Sequence, residues 1–275
     1  MGITHGNEFA GAAILNGVLE YIKSGIIKLP VPVAFILGNV PAALENKRFL
    51  DRDLNRSFDR KETDTREDKR AREIETVIKD TALLVDFHQT LLKCDRSFFI
   101  FPYGKESFQF ARDINPRQTI VTHWGKSFSA DGKCTDEFVN ANGGVGISLE
   151  TGQNGFEPGQ IAKGVDSAMW AIAAAGVRAG VLPAKERITE KLGEIFTFSE
   201  IVPWPDGGVV ALNKGFFNFM EVKPGESIGK VGEMPIKVKE GGRIIFPKYL
   251  TEDQQASLKA PPSELGRFMK AVTIE

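Results

Sequence analysis

Ala82-Leu83-Leu84-Val85-Asp86-Phe87-His88 is the stretch whose reading decides the fold. Its apolar residues are continuous rather than alternating, and the run is too short for a helix of ordinary length. That is the pattern of a strand buried on both faces of a sheet in an α/β protein. Its polar groups gather at the carboxyl end, where sheets of this kind place their ligands. On the amino side, Thr65 and Asp68 approximate a capping box, and Ala71, Ile74, Val77 and Ile78 form a narrow apolar stripe, so a helix is expected from about Thr65. Further out, Val33-Ala34-Phe35-Ile36-Leu37-Gly38, entered through Pro30 and Pro32, reads as a second doubly buried strand. Ala10, Ala13, Ile14, Gly17, Val18, Tyr21 and Ile22 have the spacing of an amphipathic helix. On the carboxyl side, strands are expected at Ser97 to Phe101, Thr119 to Thr122 and Val145 to Leu149. Helical patterns lie at Ser107 to Asp113, Thr135 to Asn142 and Gln160 to about Val177.

Strands and helices in alternation predict an α/β domain, with a mostly parallel, mixed sheet and helices on both faces. After about Pro183 the texture changes to short apolar segments broken by Pro203-Trp204-Pro205-Asp206-Gly207-Gly208, Lys223-Pro224-Gly225 and Gly241-Gly242. The expected organisation is therefore a domain over 1–183 and a small all-β domain over 184–275.

The bulk numbers narrow the function. The chain has 275 residues, 42% of them hydrophobic, long enough to bury a substantial core. Thirty-five basic against 36 acidic side chains leave a net charge of -1, which gives no field to attract nucleic acid or an anionic membrane. The most apolar stretch, Ala168 to Leu182, is too short to span a bilayer and carries Arg178. No signal peptide is recognised, and Cys94 and Cys134 show no metal or redox spacing. The expectation is a cytoplasmic protein with two reduced thiols, with self-association left open.

The residues that can carry chemistry are few. In Met1-Gly2-Ile3-Thr4-His5-Gly6-Asn7-Glu8, a histidine and a glutamate stand three positions apart where a strand end meets a helix start. Imidazole nitrogen and carboxylate oxygen are ordinary zinc ligands, and a catalytic zinc takes three protein groups. His88, delivered by its strand to the same sheet edge, is the candidate third ligand, with Asp86 two residues earlier placed to orient it. A core histidine satisfied by that aspartate is the competing reading, and His123 is a competing ligand without such a partner. A zinc hydrolase also needs a proton-transferring group. Glu150, ending the run Gly146 to Leu149, is the candidate, with an ion pair to an arginine as the alternative. The polar stretch Pro41 to Lys61, with Arg48, Arg52, Arg56, Arg60, Asp51, Asp53 and Asp59, reads as a functional loop.

Four motifs in order, Thr-His-Gly-Asn-Glu at 4–8, Asp-Leu-Asn-Arg-Ser-Phe at 53–58, Asp-Phe-His-Gln-Thr at 86–90 and Leu-Glu-Thr-Gly at 149–152, resemble those of the succinylglutamate desuccinylase and aspartoacylase family. The resemblance covers about the first 180 residues and, more loosely, the tail. It implies a zinc carboxypeptidase-like fold that hydrolyses the amide of a small N-acyl amino acid. One Zn2+ is implied on His5, Glu8 and His88, with Glu150 as general base and acid and Arg48 polarising the scissile carbonyl. Asn55 and Arg56 would hold a substrate carboxylate, and Asn39 matches a further pocket asparagine. Arg52 and Arg60 are expected on a solvated face.

The sequence also departs from the pattern. Only Met1, Gly2 and Ile3 stand where family members have a hydrophobic strand before the first ligand, so this strand is expected to be cut short. Aspartoacylases carry an arginine about where Asn140 lies, so specificity for acetylaspartate is not expected. The tail is similar to the family's barrel-sandwich carboxyl-terminal domain, in which Tyr249 reads as a packed surface residue or one reaching the pocket. Two rival readings are a zinc carboxypeptidase or amidase acting on short peptides, and a degenerate member serving as a binding module.

Overall fold

The computed structural model describes residues 1–62, 64–123, 128, 132–184, 191–257 and 262–274. They form two compact units, Met1–Gln89 with Arg96–Glu194, and Thr90–Asp95 with Ile195–Glu275.

In the first unit the order is α1 (Ala10–Lys23), α2 (Val40–Leu44), a 3-10 turn (Leu54–Arg56), α3 (Arg66–Ile78), β1 (Leu83–Thr90), β2 (Phe98–Phe101), α4 (Lys105–Ile114), β3 (Thr119–Thr122), α5 (Thr135–Ala141), β4 (Val145–Gln153) and α6 (Pro158–Arg178). The strands lie in the order β1-β4-β2-β3. β2 runs parallel to β3 and antiparallel to β4, with Phe98 opposite Glu150 and Ile100 opposite Ser148. Beside β1, the Val145 amide bonds to Ala82 and the Thr151 hydroxyl to the carbonyl of His88, so β1 and β4 ascend together. The sheet is mixed, as its sequence predicts.

Because side chains alternate across a strand, residue parity divides the strands between two layers. Phe87, Ile147 and Leu149 join Ile14, Val18, Phe110, Ile114, Ala168 and Ile172 in one core, shared by α1, α4 and α6. Leu84 points to the other side, into a core of Leu54, Phe58, Ala71, Ile74, Ile78, Phe138 and Val139 from the 3-10 turn, α3 and α5. Asp86 and His88 alternate with Phe87 on β1, and Ser148 and Glu150 alternate with Ile147 and Leu149 on β4, so all four face this second layer.

The Val33 to Gly38 run departs from its reading as a doubly buried strand. Only Leu37 forms a ladder bridge, to Gly2, and Leu37 is 41% exposed. Gly2 in turn bridges Phe87. A strand needs a neighbour along its length, and here the neighbour has one pairing residue. Within Pro41 to Lys61 the structure adds α2 and the 3-10 turn. Asn39 caps α2, its side chain accepting from the Ala42 amide, and Asp53 caps the 3-10 turn, accepting from Asn55. Both follow the capping preference of short polar side chains. α3 begins where its capping box predicts, with both Thr65–Asp68 bonds made. Arg60 departs from its solvated reading: its side chain is buried, with Nε 3.3 Å from Asp68.

The second unit holds β5 (Ile195–Pro203), β6 (Val210–Leu212), β7 (Glu221–Val222), β8 (Ser227–Val231), β9 (Met234–Lys237), β10 (Gly242–Ile245), α7 (Glu252–Ser257) and β11 (Glu264–Ala271). β5-β11-β10-β7 form an antiparallel ladder and β6-β8-β9 a second sheet. Their core contains Val202, Val210, Val222, Ile228, Ile244, Leu265 and Phe268. Residues 90–95 are tied into this unit by Asn218, whose side chain donates to Leu92 and Lys93 and accepts from Phe246. The Tyr249 hydroxyl accepts from the Phe216 amide and donates to the Asn213 carbonyl, so it is a packed residue of this unit. No helix among the described residues is long and apolar enough to cross a membrane.

Candidate metal and catalytic centre

His5, Glu8 and His88 are all buried, and a ligand atom from each lies within 4.8 Å of the others. His5 Nδ1 is 2.7 Å from Glu8 Oε1, and His88 Nδ1 is 3.0 Å from Glu8 Oε2 and 3.3 Å from His5 Nδ1. The outward ring nitrogens face carboxylates, His88 Nε2 at 3.0 Å from Asp86 and His5 Nε2 at 3.0 Å from Asp53. At His88, Asp86 favours the proton on Nε2, which leaves Nδ1 as the nitrogen turned toward Glu8, whereas His5 Nε2 is approached by both the Asp53 carboxylate and the Arg48 guanidinium. Two imidazoles and one carboxylate are the three-ligand set of hydrolytic zinc sites, and this donor set fits such an ion.

Local structure explains how these side chains converge. Thr4 donates to both oxygens of Asp86, Thr135 donates to one, and the Gln89 amide donates to Glu8. The Gln89 side chain accepts from Ala10 and donates to Gln153 and Gly155, joining the start of α1 to the end of β4. Between His5 and Glu8, Gly6 lies against the backbone of Ala42, Ala43 and Lys47, leaving no room for a side chain. Asp53, Thr4, Thr135 and Gln89 were not singled out by sequence reasoning. Asp53, Thr4 and Gln89 carried a signal, since they lie in the motifs at 53–58, 4–8 and 86–90; Thr135 carried none.

Charge is concentrated here. Burial would raise Glu8, Asp53 and Asp86, but the neighbouring histidines outweigh it: Glu8 falls below the usual carboxylate range, Asp53 well below it, and Asp86 to about 2. Burial acts to lower His88, yet Asp86 and Glu8 hold it well above its ordinary value. Glu150 goes the other way. Burial, reinforced by the charge of Glu8, pushes it up to about 7, against the pull of His88, His5 and Arg48. Its Oε2 is buried without a hydrogen-bond partner. A carboxylate poised near neutrality beside a candidate metal triad is suited to proton transfer.

Of the other expected site residues, Arg48 touches the triad directly. Arg48 reaches Glu8 Oε1 at 3.2 Å, His5 Nε2 at 2.7 Å and Asp53 Oδ2 at 3.2 Å. Asn55 accepts from the Thr135 amide, and Arg56 donates to the Asn55 carbonyl and to Cys134 Sγ while lying over the Phe128 ring. Asn39 is buried, its amide donating to Glu67 and its oxygen capping α2. His123 is not in the cluster, because β3 runs against β4 and its carboxyl end lies at the opposite end of the sheet from Glu150. Asn140 accepts from the Gly146 amide and donates to its carbonyl, serving the α5–β4 connection.

The family model for the succinylglutamate desuccinylase/aspartoacylase catalytic domain matches residues 1–163. A succinylglutamate desuccinylase of Yersinia pestis (strain Pestoides F) is 43% identical over 54 residues, a stretch amounting to 20% of this chain and 16% of that protein. Among solved structures, a succinylglutamate desuccinylase from Vibrio parahaemolyticus superposes with a TM-score of 0.73 at 21% identity, covering 99% of this chain and 80% of that one. Murine aminoacylase 3 gives 0.64 at 21% identity, covering 98% and 94%. These structural likenesses establish the fold.

Proposed function

Because the chain belongs to the succinylglutamate desuccinylase/aspartoacylase family, we propose that it is a zinc-dependent hydrolase cleaving the amide bond of a small N-acyl amino acid. The observation that carries this reading is the convergence of His5, Glu8 and His88 on one buried point beside Glu150. Zinc held by those three residues would supply Lewis acidity and a water whose pKa is lowered to about 7.

The chain's own groups do the rest. Glu150 takes a proton from the attacking water at a carboxylate oxygen and returns it to the departing amine nitrogen. Arg48 stabilises the negative charge that develops on the carbonyl oxygen. Arg56 provides a planar donor fork for a substrate carboxylate, and the NH2 end of the Asn55 amide adds a donor beside it. Asn39 supports this pocket through its bonds to Glu67 and α2.

The test is metal analysis followed by assays against a panel of N-acyl amino acids. The reading requires about one tightly held zinc per chain, and release of carboxylate and free amino acid that a chelator abolishes. A protein that takes up no zinc, or that binds it and hydrolyses none of the panel, overturns it.

A further inference from the structure

Residues 45–53 carry Arg48 and Asp53 to the triad with no helix or strand of their own. Irregular backbone holds a fixed shape only where its polar groups have partners. For the amides of residues 50–52 the partner is one carboxylate. Glu67, in the first turn of α3 and 1% exposed, accepts from the Leu50 amide at 2.7 Å, the Asp51 amide at 3.1 Å and the Arg52 amide at 3.2 Å. It also accepts from Asn39 Nδ2 at 3.1 Å. The Asn39 amide in turn donates to Ile3 and the Gly6 amide to Arg48, so the same bonds lead back to the segment bearing His5.

We infer that Glu67 is a positioning residue of the candidate centre: it clamps three consecutive loop amides and thereby sets Arg48 and Asp53 against His5 and Glu8. The inference rests on reading His5, Glu8 and His88 as metal ligands. Glu67 itself touches none of them. Its action passes through Asp53, which holds the His5 ring, and such outer partners typically change metal affinity by about 10–100-fold. A glutamine of the same shape cannot replace it, because one acceptor oxygen becomes an NH2 group facing backbone or side-chain donors.

The experiment compares wild type, Glu67→Gln and Ile74→Val, the last loosening the same helix without touching the loop. Two quantities are read: amide hydrogen exchange at residues 50–52, and zinc affinity by competition with a chromophoric chelator. Glu67→Gln is expected to speed exchange at 50–52 at least tenfold while amides of β1 keep their rates, and to weaken zinc about 10–100-fold. Ile74→Val should do neither. Wild-type exchange at 50–52 in Glu67→Gln, or unchanged zinc affinity there, overturns the inference. Equal weakening in Ile74→Val overturns it too, as general loosening. If Glu67→Gln does not fold, Glu67→Asp, which draws both oxygens back by one methylene, carries the same readouts. A wild-type chain that binds no zinc removes the metal reading, while exchange at 50–52 still decides whether Glu67 holds the loop.

Discussion

His88 rides on an eight-residue strand hydrogen-bonded to β4, whereas His5 and Glu8 follow a segment that pairs through Gly2 alone. On the strand side, the period of two fixes which side chains reach the site: Asp86 and His88 flank Phe87 on β1 and Glu150 follows Leu149 on β4, so all three point away from the core that Phe87 and Leu149 enter. On the edge side nothing so regular operates. Thr4 holds Asp86, Gln89 holds Glu8, Asp53 and Arg48 hold His5, and the Phe87 amide bonds to Met1. A few backbone bonds at Met1, Gly2 and Ile3 and these side-chain bonds together do the work that a longer ladder does elsewhere. The edge half should therefore be easier to disturb by local changes, and the strand half should convert damage into loss of stability.

The largest expected effect isolates chemistry from both supports. Glu150→Gln should leave zinc bound and reduce turnover by about 10²–10⁴-fold, the range for removing a general base. Burial raises this carboxyl and bound zinc draws it down again, so the wild-type rate should also fall with decreasing pH at a point below 7, where the carboxyl becomes protonated and can no longer accept. Steady-state kinetics with metal analysis reads both, and retained turnover with the glutamine removes Glu150 from the mechanism.

The strand half has a cost of its own. Asp136, in the first turn of α5, is pushed up to about 7 by burial and by the adjacent charge of Glu137. Its folded value lies above its unfolded value near 3.8, so between about pH 4 and pH 7 the unfolded chain binds fewer protons, and stability declines as the pH rises. Asp136→Asn removes this slope. Relative to wild type the variant should gain stability between pH 4 and 7, by at most about 4 kcal/mol at one pKa unit per roughly 1.4 kcal/mol. Denaturant unfolding at both pH values measures it, and parallel pH dependences for the two proteins would refute the assignment.

Asp86 and Asp53 compare the halves directly, since each holds one histidine. Either aspartate changed to asparagine should weaken zinc about 10–100-fold. Only Asp86→Asn should also lower the melting temperature clearly, because Asp86 is fully buried and accepts from Thr4 and Thr135 as well as His88. Equal thermal losses in the two variants would erase the distinction between the halves.

This contrast also explains what the sequence could reveal. The run from Ala82 to His88 and the capping box at Thr65 are local signals, and both elements appear where those signals place them. Val33 to Gly38 carries an equally strong apolar run, but a run does not show whether a partner strand exists, and here the partner is one glycine. Arg60 read as solvated because its partner, Asp68, lies across a loop rather than at helical spacing. The triad was legible through its motifs. Asp53 reaches His5 across 48 positions, Thr135 reaches Asp86 across 49, and Glu67 reaches the loop amides across 15 to 17, separations for which no short spacing exists.

The smallest effect expected concerns the edge half at its thinnest point. Gly2 and Gly11 meet backbone to backbone: a methyl added at Gly11 would lie 2.8 Å from the Gly2 Cα and 3.0 Å from the Ile3 amide nitrogen. Gly11→Ala therefore must push the start of α1 away from the segment that precedes His5. A helix interior favours alanine by roughly 0.5–1 kcal/mol, but overpacking costs about 1–3 kcal/mol, so the net is a loss on the order of 1 kcal/mol. The displacement falls on Gly2, three residues before the first ligand, so zinc affinity should drop by more than this small stability loss suggests. Thermal melting in chelator and zinc competition at fixed temperature separate the two effects. If Gly11→Ala melts lower but binds zinc as the wild type does, the edge half is held by its side-chain bonds, and the two bridges at Gly2 have no part in placing His5 and Glu8.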